Sequence, residues 1–213
     1  ESRGQRDSEG MSLDDALDAL LAADNEAPRV ALVARPGLAD VDELVEAGAE
    51  LSDLSPIAAT LPFGDPANIP AVRETRAAVQ DEGSQLLAIA LAEAPVEPAK
   101  PIEADNEMAE ASARPTTGEQ WLDMCAGPGG KAAVLGSIAH LRGHVLFCNE
   151  SSEHRTELVR QSLRPALAAA GGAGREIVVR TGDGREVGTD EPETYDRVLV
   201  DAPCTGLGAL RRR

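Results

Sequence analysis

Between residues 119 and 200 the apolar positions alternate between two rhythms. Trp121-Leu122-Asp123-Met124 is a short strand. Residues 130–142 repeat at helical spacing, with Val134, Leu135, Ile138 and Leu141 placed on one side. Residues 144–149 (HVLFCN) read as a second strand. Residues 152–170 read as a helix that Pro165 should kink or interrupt. Residues 176–181 (EIVVRT) and 195–200 (YDRVLV) complete four strands. Strand, helix, strand, helix, strand, strand predicts a parallel, doubly wound α/β sheet, and near-continuous apolar runs such as RVLV suit a sheet covered on both faces.

The first 93 residues are less regular. Ser12, with Asp15 in the first turn, precedes Leu13, Leu17, Leu20 and Leu21, the pattern of a capped amphipathic helix. Val30 to Val33 predicts a strand entering the turn Arg35-Pro36-Gly37, and Val41, Leu44, Val45 and Gly48 a short helix. Residues 52–72, rich in Pro, Ala and Asp, read as irregular. Residues 82–93 predict a helix burying Leu86, Leu87 and Ala90. The organisation expected is a small, mostly helical extension over 1–93, a linker over 94–118 and the α/β domain over 119–213. The linker is acidic, holds four prolines and has almost no large apolar side chains, so it buries too little surface to offset chain entropy.

The formal charge of −17 argues against a polyanion partner until its distribution is seen. Residues 1–118 hold 24 acidic and 8 basic side chains, whereas 119–213 hold 13 and 12. The acidity therefore sits outside the domain with the regular pattern. Cys125, Cys148 and Cys204 are too widely spaced for a zinc pattern or a disulfide framework, which points to a reducing, cytoplasmic setting. No apolar run approaches the roughly 20 residues of a membrane span. His140, His144 and His154 read as surface or helix-end residues without a metal constellation, so no metal, no membrane and a monomer are expected. Only four aromatic residues occur, too few for a base-stacking platform. The sequence starts at Glu1 ahead of Met11 and ends on Arg211-Arg212-Arg213 directly after a motif, so both ends read as cuts.

Candidate chemistry begins at the turn Cys125-Ala126-Gly127-Pro128-Gly129-Gly130-Lys131, which leaves one strand and opens a helix. Such a turn offers backbone N–H groups and the positive end of a helix dipole to an anionic ligand. A nucleoside triphosphate site is excluded, because Cys125 and Ala132 occupy the positions of the required glycine and hydroxyl residue. A dinucleotide fits loosely, since Gly127, Gly129 and Ala132 make GxGxxA. S-adenosylmethionine fits too. The second strand ends at Glu150, suited to ribose hydroxyls, and the third at Asp183, suited to an adenine amino group.

The fourth strand ends in Asp201-Ala202-Pro203-Cys204-Thr205-Gly206. The pair LDMCAGPGGK and DRVLVDAPCTGLGALRR resembles the Sun/Fmu (RsmB-like) family of ribosomal RNA cytosine-C5 methyltransferases, as does VQDEGSQ at 79–85. The resemblance covers 79–93 and 119–213 well, 30–72 weakly and 94–118 not at all. It implies a Rossmann-like methyltransferase sheet, here partial with its C-terminal strands missing, after an extension that would form part of an RNA-binding region. Cys125, Ala126, Gly127, Pro128, Gly129, Gly130, Lys131, Glu150 and Asp183 would bind S-adenosyl-L-methionine. Asp201 would line the same pocket and face the target base. Cys204 would be the Pro-Cys cysteine that assists product release.

The implied reaction makes C5 of cytosine nucleophilic by adding a thiolate to C6. The family's nucleophile is a different cysteine, in a Thr-Cys pair, and no Thr-Cys pair occurs in these 213 residues. The fragment alone is therefore expected to be inactive. Two other readings stay open: a non-catalytic S-adenosylmethionine- or RNA-binding protein, and a dinucleotide-dependent oxidoreductase.

Overall fold

The structure is a computed structural model that describes residues 12–25, 29–96, 118–170 and 177–203. Helix α1 (Leu13–Asn25) belongs to a compact unit of its own, apart from Val30–Pro203. Ser12 caps it as anticipated: its Oγ accepts from the Asp15 N–H at 3.1 Å and donates to Asp15 Oδ2 at 2.6 Å. Leu13, Leu17 and Leu21 are each about half exposed.

The second unit starts with a four-stranded antiparallel sheet. Its strands are β1 (Val30–Ala34), β2 (Glu50–Leu51), β3 (Ala58–Leu61) and β4 (Ala77–Val79), in the order β2-β3-β1-β4. Helix α2 (Val41–Glu46), a 3-10 turn (Pro66–Asn68) and α3 (Pro70–Arg73) connect them. Leu32, Leu44, Leu61 and Ile69 form its core. The extension, mostly helical as expected, also carries this sheet, and 52–72, read as irregular, contains β3 and most of α3. The physical reason lies in the strands: they have two to five residues, several buried positions are alanines, and their partners are distant in sequence. Local pattern carries little of that pairing.

Helix α4 (Glu82–Glu93) forms where expected, N-capped by Asp81, which accepts from the Ser84 N–H at 3.0 Å. Its buried face is Gln85, Ala88 and Ala92, not Leu86, Leu87 and Ala90, and both leucines are substantially exposed. A helix apolar nearly all round does not reveal its phase. The small face wins because it allows close approach to α5 (Gly130–Arg142). In α5 all residues from Ala132 to Ala139 are buried, while Leu141, expected to share the buried side, is 57% exposed.

The remaining strands are β5 (Gln120–Asp123), β6 (Val145–Glu150), β7 (Ile177–Thr181) and β8 (Arg197–Leu199), with α6 (Glu153–Ala170) and α7 (Val187–Asp190) between them. All pairings are parallel, in the order β7-β6-β5-β8. Helix α6 runs through Pro165 without interruption. The chain winds outward from β5 to β7, then crosses to place β8 on the other side of β5. Ligands bind beyond the carboxyl ends of strands at such a reversal.

Arg197 joins α4 to this sheet. Its guanidinium donates to Leu91 O at 2.6 Å, to Ala94 O and to Glu119 Oε2 at 2.6 Å, and lies 5.5 Å from the Trp121 ring centre. Arg142 donates to Ala92 O at 2.8 Å. Helix α4 has no basic residue in its own last turn, so these two side chains satisfy its terminal carbonyls. Arg197→Ala strands Glu119 and three carbonyl or ring contacts, and is expected to cost roughly 2–3 kcal/mol in urea unfolding of the whole protein. Among the described residues no helix is long and apolar enough to cross a membrane.

Candidate functional site

The glycine turn is fastened to the strand ends by backbone and side-chain bonds. Ala126 N–H donates to Asn149 O at 2.9 Å, and Met124 N–H to Leu199 O at 2.9 Å. Asn149, 2% exposed at the end of β6, donates to Met124 O at 3.3 Å and Gly182 O at 3.0 Å. One buried amide thus ties the ends of β5, β6 and β7 together.

Two glycines are required by the protein's own packing. A Cβ on Gly127 would stand 2.2 Å from Glu150 Oε2. One on Gly129, where φ is +111°, would stand 2.7 Å from Ser162 Cβ and 3.0 Å from Val159 Cα. The turn lies directly on β6 and α6, and neither contact yields cheaply because the neighbours are a fixed carboxylate and helix backbone. Gly129→Ala is therefore expected to destabilise the protein by roughly 2–4 kcal/mol, read as a lowered urea midpoint with unchanged slope.

Glu150 is 3% exposed and accepts from the Gly127 N–H at 3.0 Å and the Ser152 N–H at 3.1 Å. Arg155 lies 3.6 Å from it and donates to Gly127 O at 2.5 Å. Burial pushes the Glu150 carboxyl up, but the Ser152 N–H, the Arg155 charge, the Ser151 hydroxyl and the Gly127 N–H together outweigh it and hold the group below its ordinary range. Glu150 is a fixed carboxylate with one edge in use by the turn.

Asp183 sits beyond β7, and Arg185 donates to both of its oxygens at 2.5–3.1 Å. That guanidinium holds the Asp183 carboxyl down to about 2. Beyond β8, Asp201 is half exposed and pairs with Lys131, whose Nζ is 2.7 Å from Asp201 Oδ2. The structure therefore brings together the turn, Glu150 and Asp201, and places Asp183 on the next strand end. Cys204 lies outside the described residues, as do Arg211 to Arg213. Cys125 is partly buried beside the Asp123 charge, and burial first and that charge second push its thiol up, so it is no activated nucleophile. Burial likewise pushes the Cys148 thiol well up.

Four residues to which the sequence assigned no role lie around the turn and the strand ends: Asp123, Asn149, Arg155 and Gln80. Asp123 ends β5 and is 1% exposed. Among the described residues neither of its oxygens has a hydrogen bond of acceptable geometry. Burial pushes its carboxyl up to about 7, against the lowering effect of the Lys131 charge. Buried polar groups are nearly always paired, so an orphaned carboxylate beside a glycine turn fits a cationic group on a ligand. The amino-acid end of S-adenosylmethionine has an ammonium that Asp123 could hold and a carboxylate that the N–H groups opening α5 could hold. A dinucleotide offers no such ammonium. The signal was present in LDMCAGPGG, as an acid ending a strand one residue before the turn, but the sequence alone does not show that it is unpaired.

Comparisons with known proteins agree with this geometry. Residues 111–213 match the family described as 16S rRNA methyltransferase RsmB/F. Rv1407 of Mycobacterium tuberculosis, a methyltransferase by name only, is 44% identical over 198 residues, which is 92% of this chain and 37% of that protein. The mitochondrial tRNA (cytosine(34)-C(5))-methyltransferase of Mus musculus is 43% identical over 88 residues, 41% of this chain and 24% of its own. The crystal structure of PH0851 superposes with a TM-score of 0.66 at 21% identity, over 94% of this chain and 41% of that one, and supports the Rossmann-like fold. The chain thus spans well under half the length of these relatives. With the glycine turn on the end of β5 and Asp201 beyond β8, residues 111–213 carry a domain that matches the RsmB/F methyltransferase family.

Proposed function

We propose that the protein of which this chain forms part transfers a methyl group from S-adenosyl-L-methionine to C5 of a cytosine in RNA, with ribosomal RNA as the favoured substrate. The observation that supports the reading is the buried Asp123 carboxylate before the glycine turn, which no side chain among the described residues bonds and which only the Cys125 N–H and the Lys131 charge help to ionise. It calls for a zwitterionic cofactor end on one side of Lys131 and leaves an accessible acid on the other.

Each side chain then has a task. Asp123 holds the ammonium, and the N–H groups opening α5 hold the carboxylate. Glu150 takes the ribose hydroxyls with lone pairs left beside those engaged by Gly127 on Oε2 and by Ser151 and Ser152 on Oε1. Asp183 accepts from the adenine amino group, for which it must share its oxygens with Arg185. Bound there, S-adenosylmethionine would supply an electrophilic methyl group on a positively charged sulfur.

Asp201 faces the target base and hydrogen-bonds its amidine edge. Lys131, 2.7 Å away, orients that carboxylate and places a positive charge where electron density accumulates once a thiolate has added to C6. Cys204 assists departure of the methylated product, and the thiolate itself comes from a Thr-Cys cysteine that these residues do not include. The antiparallel sheet and its helices extend the surface toward RNA, and 94–118 serves as an acidic linker. The neutral balance of 119–213 favours contact with phosphates there rather than on the acidic first part.

The test is product identity. The whole protein, given methyl-labelled S-adenosylmethionine and small-subunit ribosomal RNA, should yield label in 5-methylcytidine after nuclease digestion. Label confined to transfer RNA would move the substrate, as the murine relative suggests. Label in a base other than cytosine would reject the reaction.

A further inference from the structure

The antiparallel sheet delivers to the glycine turn a side chain from the VQDEGSQ segment, Gln80, to which the sequence assigned no role. Gln80 follows β4, and its backbone is fixed at both groups. Its N–H donates to Ala31 O at 3.0 Å, and its carbonyl accepts from Gln85 Nε2 at 2.9 Å. Gln85, 0% exposed, is itself fully committed: it donates to Leu32 O at 3.3 Å and accepts from Ser55 Oγ at 2.8 Å. A satisfied buried network therefore holds Gln80 in place.

The Gln80 side chain is the reverse case. Its amide nitrogen lies 3.4 Å from the position a Cβ on Gly130 would take, against the first residue of α5. Both Nε2 and Oε1 are shut off from water, and among the described residues neither has a hydrogen-bond partner. An orphaned carboxamide is costly, and a protein with no use for it gains by replacing it with an apolar side chain. Asp123, at the strand end that enters the same turn, likewise has no side-chain hydrogen-bond partner among the described residues.

We propose that Gln80 is a cofactor-binding residue: its carboxamide donates to the carboxylate, and accepts from the ammonium, of the amino-acid end of S-adenosylmethionine. A carboxamide presents one donor and one acceptor side by side, which matches a zwitterion and matches neither a lone anion nor a lone cation. The inference rests on the reading that the turn takes this cofactor. It makes the antiparallel sheet part of the cofactor site, since β4 and the Gln85 network set where the amide stands.

The test compares two ligands that share the nucleoside and the sulfur: S-adenosylhomocysteine, which has the amino-acid end, and 5′-methylthioadenosine, which lacks it. Equilibrium binding of each is measured to the whole protein and to its Gln80→Leu variant, together with thermal unfolding. The expected result is a loss of about tenfold or more for S-adenosylhomocysteine, with 5′-methylthioadenosine within about twofold of wild type and a thermal midpoint equal to or above wild type. Retained methylthioadenosine binding certifies a folded site, and a midpoint that does not fall separates a ligand contact from a packing role.

Equal losses for both ligands, or a lowered midpoint with parallel losses, would make Gln80 structural and overturn the proposal. Unchanged affinity for both ligands would overturn it as well, and a raised KM for RNA in that case would assign the amide to the target base. Wild-type protein that binds neither ligand would instead reject the cofactor reading itself.

Discussion

Asp201→Asn in the whole protein lowers kcat for cytosine methylation by roughly 10²–10⁴, with S-adenosylhomocysteine affinity changed less than about threefold. The magnitude is that of a positioned acid–base or charge-stabilising group lost from a transition state. The split follows from placement. Asp201 is half exposed at the end of β8, bonded to Lys131, whereas the cofactor's amino-acid end is assigned to Asp123 and the turn behind Lys131. Asparagine keeps the shape, removes the charge that orients the lysine, and turns one acceptor into a donor. Single-turnover assays at saturating cofactor read this directly. Unchanged kcat would remove Asp201 from the mechanism, and a large loss of cofactor affinity would move it into the cofactor site.

Asp123→Asn is expected to split stability from binding. The Asp123 carboxyl is raised to about 7 by burial, so between its ordinary value and that one the folded protein holds a proton that the unfolded chain has released. Stability from this group is therefore complete below about pH 4 and is lost as pH rises to about 7. At pH 8 the folded state carries a buried, unpaired charge. A shift of this size corresponds to roughly 4 kcal/mol at most, and the amide brings polar atoms of its own, so the gain expected for the variant at pH 8 is about 2–3 kcal/mol. Urea unfolding at pH 5 and pH 8 measures both the gain and the flattened pH slope.

The same carboxyl must be ionised to hold an ammonium. Wild-type affinity for S-adenosylhomocysteine should therefore fall roughly tenfold from pH 8 to pH 6, and the variant should bind weakly with no such dependence. A variant that is less stable at pH 8 and binds normally would show that Asp123 is an ordinary core residue.

The parallel sheet was readable because its strands of three to six residues recur with a helix of 13 to 18 residues or a polar turn after each. The glycine turn and the acids at 150, 183 and 201 were readable because chemistry fixes their positions relative to strand ends. The antiparallel sheet was not. Strands of two to five residues, with alanine at Ala58, Ala59 and Ala77, carry no distinctive period, and β1 finds its partners β3 and β4 more than 20 residues away. The buried face of α4 was misplaced for a related reason: LLAIALA is apolar on every side, and only close packing on α5 selects Ala88 and Ala92. Asp123 and Gln80 escaped notice because their significance lies in being buried without partners. Residue type does not encode that property, which emerges only when the surrounding chain has been placed.

The measurement that bears most directly on the central claim is equilibrium binding of S-adenosylhomocysteine and of NAD to the whole protein, alongside Glu150→Gln. The account requires binding of S-adenosylhomocysteine, none of NAD, and a loss of about tenfold in the variant as its ribose contact weakens. Binding of NAD without S-adenosylhomocysteine would contradict the assignment of these strand ends and return the glycine turn to a dinucleotide.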